Sequence, residues 1–379
     1  MTQLKQNPMF RFLMVLTISS TIGLQAWTML FNNFAVEQVH LSGEQVGMIQ
    51  SVREIPGFLT FLAVFVMMVI REHRLSAISI VVLGAGFALT GVFPSYAGLM
   101  MTTVLMSFGF HYYETTNQSL TLQYFDKYQS PVVFGRLRSI AAASSIGIGI
   151  FVFLISHFLS FRSTYLTIGG LIFAAGLWAF TRNPVDKNII PQHKKMIFRK
   201  KYWLYYFLTF MAGARRQIFM AFAVLLLVKK FEFSVQEVTA LFVINNVINY
   251  FLSPMVGKYI VRVGERKILS LEYFSLLFIF LAYALVDSKL LVSFLYVLDH
   301  IFFNFAIAIR TYFQKVGDPK DIAPSMAVGF TINHIAAVFL PALGGILWMV
   351  DYRIPFLAGA GMSIVSLIAV QKIRVPAEG

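Results

Sequence analysis

Twelve predominantly apolar stretches, each about long enough to cross a bilayer, follow one another between residues 11 and 370. They run over 11–36, 43–70, 75–93, 96–124, 135–159, 162–180, 203–228, 234–261, 268–286, 289–314, 323–350 and 353–370, and no connection between them is long enough to hold a soluble domain. In hydrocarbon every backbone N–H and C=O must be satisfied within the protein, and a segment of about 20 residues achieves this as a helix. The pattern therefore predicts an all-α membrane protein with twelve transmembrane helices. Composition agrees: charged residues are 13% of the chain, against about 25% in soluble domains, and mean hydropathy is +0.72. The first stretch follows Lys5 and Arg11 without a small-residue cleavage site, which predicts a retained helix. The chain has no cysteine, so disulfides and thiolate-bound metals are excluded.

The formal charge of +14 could suggest nucleic acid, but the placement of the 31 lysines and arginines argues otherwise. With the N-terminus inside, most fall in cytoplasmic segments, and the 181–202 loop alone holds Arg182, Lys187, Lys194, Lys195, Arg199, Lys200 and Lys201. The outside loops keep Arg162, Lys229, Lys230, Lys289 and Arg353. This bias predicts a multi-pass membrane protein with both termini cytoplasmic; the expected location is a bacterial inner membrane. The basic loops then face membrane lipids, and no nucleic acid is expected. Four cations remain at membrane depth: Arg53, Arg215, Arg216 and Arg310.

The chain also repeats itself. "LSGEQVGMIQ" after the first stretch is echoed by "FSVQEVTALF" after the seventh, 192 residues later, an offset that places Gln25 on Gln217 and Trp27 on Phe219. "LQYFDKYQSP" returns as "RTYFQKVGDP" at an offset of 188, bringing Pro131 onto Pro319. The longest polar stretch, "TRNPVDKNIIPQHKKMIFRKKYW", lies between the halves. The expected organisation is a six-helix bundle over 1–180, a basic cytoplasmic linker over 181–202, and a second six-helix bundle over 203–379, an internal duplication typical of secondary transporters.

Between the eighth and ninth stretches the chain reads "GKYIVRVGERKIL" (257–269). It resembles the loop signature of the major facilitator superfamily: Gly257, Arg262, Gly264, Arg266 and Leu269 fit, and Val261 replaces the signature aspartate. The first-half counterpart "VIREHRLS" keeps the basic residues without the glycines. The resemblance implies two pseudo-symmetric six-helix bundles rocking about a site near mid-membrane, with Gly257, Arg262, Gly264 and Arg266 at a cytoplasmic gate. The fifth stretch, "IAAASSIGIGIFVF", lacks the glycine-proline pair of many drug–proton antiporters in that family.

Polar residues at depth carry the functional expectation. An arginine at the centre of a membrane helix costs about 2.5–3.5 kcal/mol on insertion scales, so a pair must be compensated. Adjacent helical residues point about 100° apart, which predicts that Arg215 and Arg216 differ in role: one contacts a substrate anion, the other is tied to a neighbouring helix. The alternative is that both are tied up in salt bridges. Gln217, Gln25, Trp27, Tyr112, Asn246 and Asn249 are the accompanying binding candidates. Arg53 and Glu54 correspond by the 192-residue offset to Asn245 and Asn246, so the two halves differ in charge. His111, Glu114 and Gln118 share one helix face, and the offset of 188 sets Asp299 on His111. Asp299 and Arg310, eleven residues apart, are expected to face the same way. Glu54, Glu114, Asp299, His111 and His300 are the proton-coupling candidates; the alternative is that the carboxylates only neutralise arginines. Arg53 and Arg310 are the candidates for intramembrane ion pairs. The four arginines against Glu54, Glu114 and Asp299 leave one excess positive charge.

Nothing in the sequence aligns as a metal site, a phosphate-cradling loop or a nucleophile elbow, so no enzyme, cofactor or metal is expected. The expected function is a proton-coupled transporter moving a small organic anion or anionic amphiphile, working as a monomer. An exporter of hydrophobic drugs and a lipid-handling protein are the alternatives.

Overall fold

The structure, a computed structural model, describes residues 4, 6–155, 158–186, 189–193 and 195–375. Lys5, Lys187 and Lys194, counted above among the inside cations, lie outside the described residues. Twelve long helical segments follow one another in the predicted order, and no strand occurs among the described residues. α1 is Pro8–Gln38, and α2 is built of Gly43–Arg53, Ile55–Phe58, a 3-10 turn at Leu59–Leu62 and Ala63–Val69. Then come α3 (Glu72–Thr90), α4 (Tyr96–Tyr124), α5 (Gln129–Ile155), α6 (Phe161–Phe180) and α7 (Lys200–Lys229). The chain continues with α8 (Val235–Val263), α9 (Glu265–Leu285), α10 (Lys289–Val316), α11 (Ile322–Val350) and α12 (Arg353–Val370). Ten of these are long and apolar enough to cross a membrane, and the other two, α4 and α11, have 29 residues each. The one substantial shift is at α5, which begins at Gln129 rather than near 135, so that Arg136 and Arg138 lie about two turns or more inside the helix rather than at its first residues.

The repeat has a backbone basis. α2 and α8 both begin with a capping box. Ser42 Oγ accepts from Gln45 N–H while Gln45 Oε1 accepts from Ser42 N–H; Ser234 and Glu237 do the same 192 residues later. Two residues before each cap the chain takes a left-handed turn, at His40 (φ 56°) and at Glu232 (φ 51°), the two non-glycine residues with positive φ among those described.

Contacts group the chain into two compact units. Unit 1 comprises Met1–Tyr124, Ile140–Ile197 and Lys320–Thr331; unit 2 comprises Phe125–Ser139, Phe198–Pro319 and Ile332–Gly379. In unit 1, α3 packs against α4 and α6 through small residues, since lipid offers no hydrophobic drive to bring helices together and close packing must do so. A Cβ at Gly84 would come within 2.5 Å of Phe173 N on α6, and one at Gly109 within 2.4 Å of Leu83 N on α3. In unit 2, α9 packs against α12, and Ile218, Phe219, Phe222, Tyr283, Tyr296 and Phe356 form an apolar core with them. The first turns of α5 belong to this unit and lie against α8. Gly257 faces Pro131 O and Gly135 faces Ser253 O, where an added Cβ would approach to 2.3 Å in either case.

Candidate transport site

Three helices are interrupted, and the polar residues singled out at depth collect at the interruptions. Broken helices at membrane depth are tolerated where the freed backbone is buried in protein or lines a cavity. In α2 the cause is Pro56, which has no N–H to give the preceding turn, so the helix opens at Glu54 and tightens into the 3-10 turn beyond. Arg53 and Glu54 sit at this opening and pair with each other: Arg53 Nη2 and Nε donate to Glu54 Oε1 at 2.8 and 3.2 Å. The Arg53 guanidinium also lies 5.0 Å over the ring of Trp27, which is fully buried and stacked on Phe31. Trp27 is thus a floor beneath Arg53. Ser107 on α4 donates to the Arg53 carbonyl at 2.5 Å and lies 3.0 Å from His111 Nδ1, which brings a His111 ring nitrogen within 4.8 Å of a Glu54 carboxylate oxygen. His111 is buried, Tyr112 is half-buried with an edge contact to Phe108, and Glu114 and Gln25 are half-buried.

In α7 the regular helix Trp203–Gln217 passes into a π-helical turn, Ile218–Ala223, directly after the two arginines. The two then part company. Arg215 is 3% exposed; its Nη1 donates to Ser366 Oγ on α12 at 2.5 Å and its guanidinium lies 4.3 Å over Tyr273 on α9. Its Nη2 is 3.8 Å from Glu272 Oε1, also on α9. Arg216 and Gln217 are half-buried. Arg215, Arg216, Glu272, Asp299, Phe219 and Phe303 line a small cleft between α7, α9 and α10. Its volume of about 10 Å³ is room for roughly one water and too little for an organic solute. Asp299 Oδ2 and Glu272 Oε2 are buried there without a hydrogen-bond partner.

Glu272 is absent from the residues the sequence singles out, although a lone carboxylate in "LSLEYFSLL" is the same kind of signal as the paired arginines. Arg138 is the other omission. It lies three turns into α5, 5.1 Å over Phe303, and acts electrostatically on Glu272 and His300.

α10 is interrupted at Asn304–Ala306 by a 3-10 turn. Asn304 is fully buried there; its Nδ2 donates to Asn249 Oδ1 at 2.7 Å and to His300 O at 3.0 Å, and its Oδ1 accepts from Ser253 Oγ at 3.3 Å. Asn249 Oδ1 being an acceptor, its Nδ2 is the atom facing His300 Nε2 at 2.6 Å. With the amide so oriented, Nε2 is placed to accept from it. Asn246 turns back on its own helix, donating to Phe242 O at 3.0 Å, and the buried Asn245 amide has no partner among the described residues. The same interruption overturns one expectation. Eleven residues bring Asp299 and Arg310 to one face only along an unbroken α-helix; here Asp299 lines the Arg215 cleft while Arg310 lies 5.7 Å over Phe134 on α5.

In the 257–269 motif, Gly264 takes φ 87°, a left-handed value that suits glycine, and separates α8 from α9. Arg262 is exposed, and Arg266 donates twice to Gln371 Oε1 at 3.2 and 3.1 Å. With valine in place of the signature aspartate, the buried carboxylate of the loop is Glu265, paired with Lys315 at 2.8 Å.

Residues 12–319 match the family model described as Major Facilitator Superfamily. The chain belongs to the major facilitator superfamily. No curated protein matches its sequence. Among solved structures, this superfamily member is similar to the human organic anion transporter MFSD10 (TETRAN), with a TM-score of 0.74 and 9% identity over 96% of this chain and 99% of that one. It is similar to a bacterial homologue of the iron transporter ferroportin in an outward-facing state (TM-score 0.76, 13% identity, 96% and 98% covered). It is also similar to the Escherichia coli fucose:proton symporter FucP (TM-score 0.72, 12% identity, 97% and 98% covered). At these identities the likeness is one of fold, and it is the fold of multi-pass membrane transporters. For a superfamily member, the arrangement offers two separate capacities: a half-buried guanidinium able to bind a carboxylate or phosphate, and buried carboxylates in a cleft that admits a water.

Proposed function

We propose that this superfamily member moves a small organic anion or an anionic amphiphile across a bacterial inner membrane by alternating access, coupled to protons and acting as a monomer. Its halves, 1–180 and 203–379, are the moving bundles, with the termini and the 181–202 linker cytoplasmic. The observation that carries the proposal is the division of labour in α7. Arg215 is enclosed by Glu272, Tyr273 and Ser366 and anchors its helix, whereas Arg216 is only half-buried, open to more than the water-sized cleft, and is the substrate ligand. Gln217, Gln25, Tyr112, Asn246 and Asn249 are the polar contacts around the solute, with Trp27 supporting Arg53. Protons are exchanged at Asp299 and Glu272 in unit 2, with Glu54, His111 and Glu114 as the corresponding group in unit 1, where Glu54 and His111 lie within 4.8 Å. His300, whose Nε2 lies 2.6 Å from the Asn249 amide nitrogen, is a further proton-carrying candidate in unit 2. The fold is one on which an organic anion transporter and a fucose:proton symporter are both built, so it can host either chemistry.

The test is a stability screen of purified protein over carboxylates, phosphate esters and matched neutral compounds, since a ligand that binds the folded state raises its unfolding midpoint by mass action. Anions are expected to stabilise the wild type. Arg216→Lys, which keeps the charge but loses bidentate geometry, is expected to weaken the best anion about tenfold with little change in stability without ligand. Unchanged anion affinity in both Arg216→Lys and Arg216→Gln would sink the substrate role and favour an exporter of hydrophobic compounds.

A further inference from the structure

Unit 1 holds a second and larger cavity, of about 480 Å³, that the transport proposal does not use. Its walls are the end of α2, the start of α3, the end of α4, Val185, Asp186 and residues 189–193 of the connecting loop and the first turn of α11. The loop is fastened in place here. His193 N–H donates to Lys320 O at 2.8 Å, His193 Nδ1 lies 2.7 Å from the buried Asp321 Oδ1, and Gln192 Oε1 accepts from Ala323 N–H at 2.9 Å.

The lining divides by chemistry. Met67, Met68, Ile189 and Ile190 form an apolar part, and Glu72, Tyr124 and Asp186 a polar one. Glu72 and Asp186 both act electrostatically on the Tyr124 hydroxyl, so the three groups are clustered. Glu72 holds the decisive atom. Its Oε2 accepts from Gln123 Nε2 at 2.7 Å, whereas its Oε1 is buried without a hydrogen-bond partner. Buried polar atoms are nearly always hydrogen-bonded, so this oxygen lacks a donor beside a cavity large enough to admit one. Arg71 lines the same space but is exposed, and His73 is buried. An anion entering the polar part would meet two carboxylates.

We infer that this cavity binds an amphipathic organic cation, an amine on an apolar body. The ammonium donates to Glu72 Oε1 and faces Asp186, and the body rests on the methionines and isoleucines. Such a ligand bridges the connecting loop to the ends of α2, α3 and α4, and is therefore a regulator bound apart from the transported solute.

The experiment titrates the full-length protein in micelles with 4-phenylbutylamine, and with 4-phenylbutanol and 4-phenylbutyrate as neutral and anionic matches, by calorimetry and unfolding midpoint. The amine is expected to bind saturably and about tenfold tighter than the alcohol, the difference one charge-assisted hydrogen bond makes. Glu72→Gln and Asp186→Asn are each expected to remove most of that preference. Asp186 is exposed on the loop, so its variant reports even where Glu72→Gln fails to fold. Amine and alcohol of equal affinity, or amine binding unaltered in every folded variant, would overturn the inference. Arg216→Gln is expected to leave amine binding unchanged; loss of binding there would place the amine at the transport site and equally overturn it.

Discussion

The Arg215 guanidinium stands 3.8 Å from the Glu272 carboxylate with both side chains 3% exposed, while Arg216, next in the chain, is half-buried. Two identical cations thus have different surroundings because a helix turns by about 100° per residue. The first is held by three neighbours on α9 and α12; the second borders a cleft.

The Arg215–Glu272 pair should be costly to break from one side. Removing one partner of a buried ion pair costs about 3–5 kcal/mol, because the other charge is left uncompensated. Glu272→Leu and Arg215→Met are each expected to lower unfolding free energy by about that amount. The double variant Arg215→Met with Glu272→Leu should lose clearly less than the sum of its single changes. Chemical unfolding of the four proteins of this cycle is the measurement, and strict additivity would show that the two residues do not interact.

The coupling carboxylate should separate accumulation from exchange. Asp299→Asn is expected to abolish proton-driven uptake in proteoliposomes while counterflow of the same solute persists. Glu114→Gln and Glu272→Gln, assayed in parallel, identify which of the buried acids carries the proton. Uptake with wild-type pH dependence in all three would make these acids structural.

Gly257 should tolerate no side chain. A Cβ there would lie 2.3 Å from Pro131 O, so Gly257→Val forces α5 and α8 apart and is expected to cost about 1–3 kcal/mol. Gly147, where an added Cβ meets nothing within 4 Å, supplies the control, and Gly147→Ala is expected to unfold like the wild type. Equal midpoints for the two variants would refute the close approach.

The orientation can be read with a thiol reagent, because the chain has no cysteine of its own. Cysteines placed at the exposed Lys195 and Lys289 are expected to react from opposite faces of sealed vesicles, Lys195→Cys from the cytoplasmic one. Reaction of both from the same face would refute the proposed topology.

Helix number and order were legible because each span must satisfy its own backbone in lipid, and length and hydropathy report that directly. Charged residues at depth were legible for the same reason, Arg53, Arg215 and Asp299 among them. Interruptions were less so: Pro56 announces one, but the π-helical turn after Gln217 and the 3-10 turn at Asn304 have no proline, and the second cancels the face shared by Asp299 and Arg310. Arg138 escaped notice because the polar residues 126–131 before it read as loop, which put it at the very start of its stretch rather than inside the helix. Partner choice was the least legible, since Arg215 and Glu272 are 57 residues apart in the chain and only packing decides which carboxylate arrives.

His40 and Glu232 have no chemistry in common, yet both hold a torsion that side chains with a Cβ rarely adopt, 192 residues apart and each two residues before a capping serine. Such a turn costs free energy at each site and persists only where the surrounding structure demands it. What the two halves kept after their letters diverged is therefore an angle. Relationships between the halves of such chains are better sought by aligning backbone torsions around helix starts than by aligning residues, and by that measure a histidine and a glutamate can be the same position.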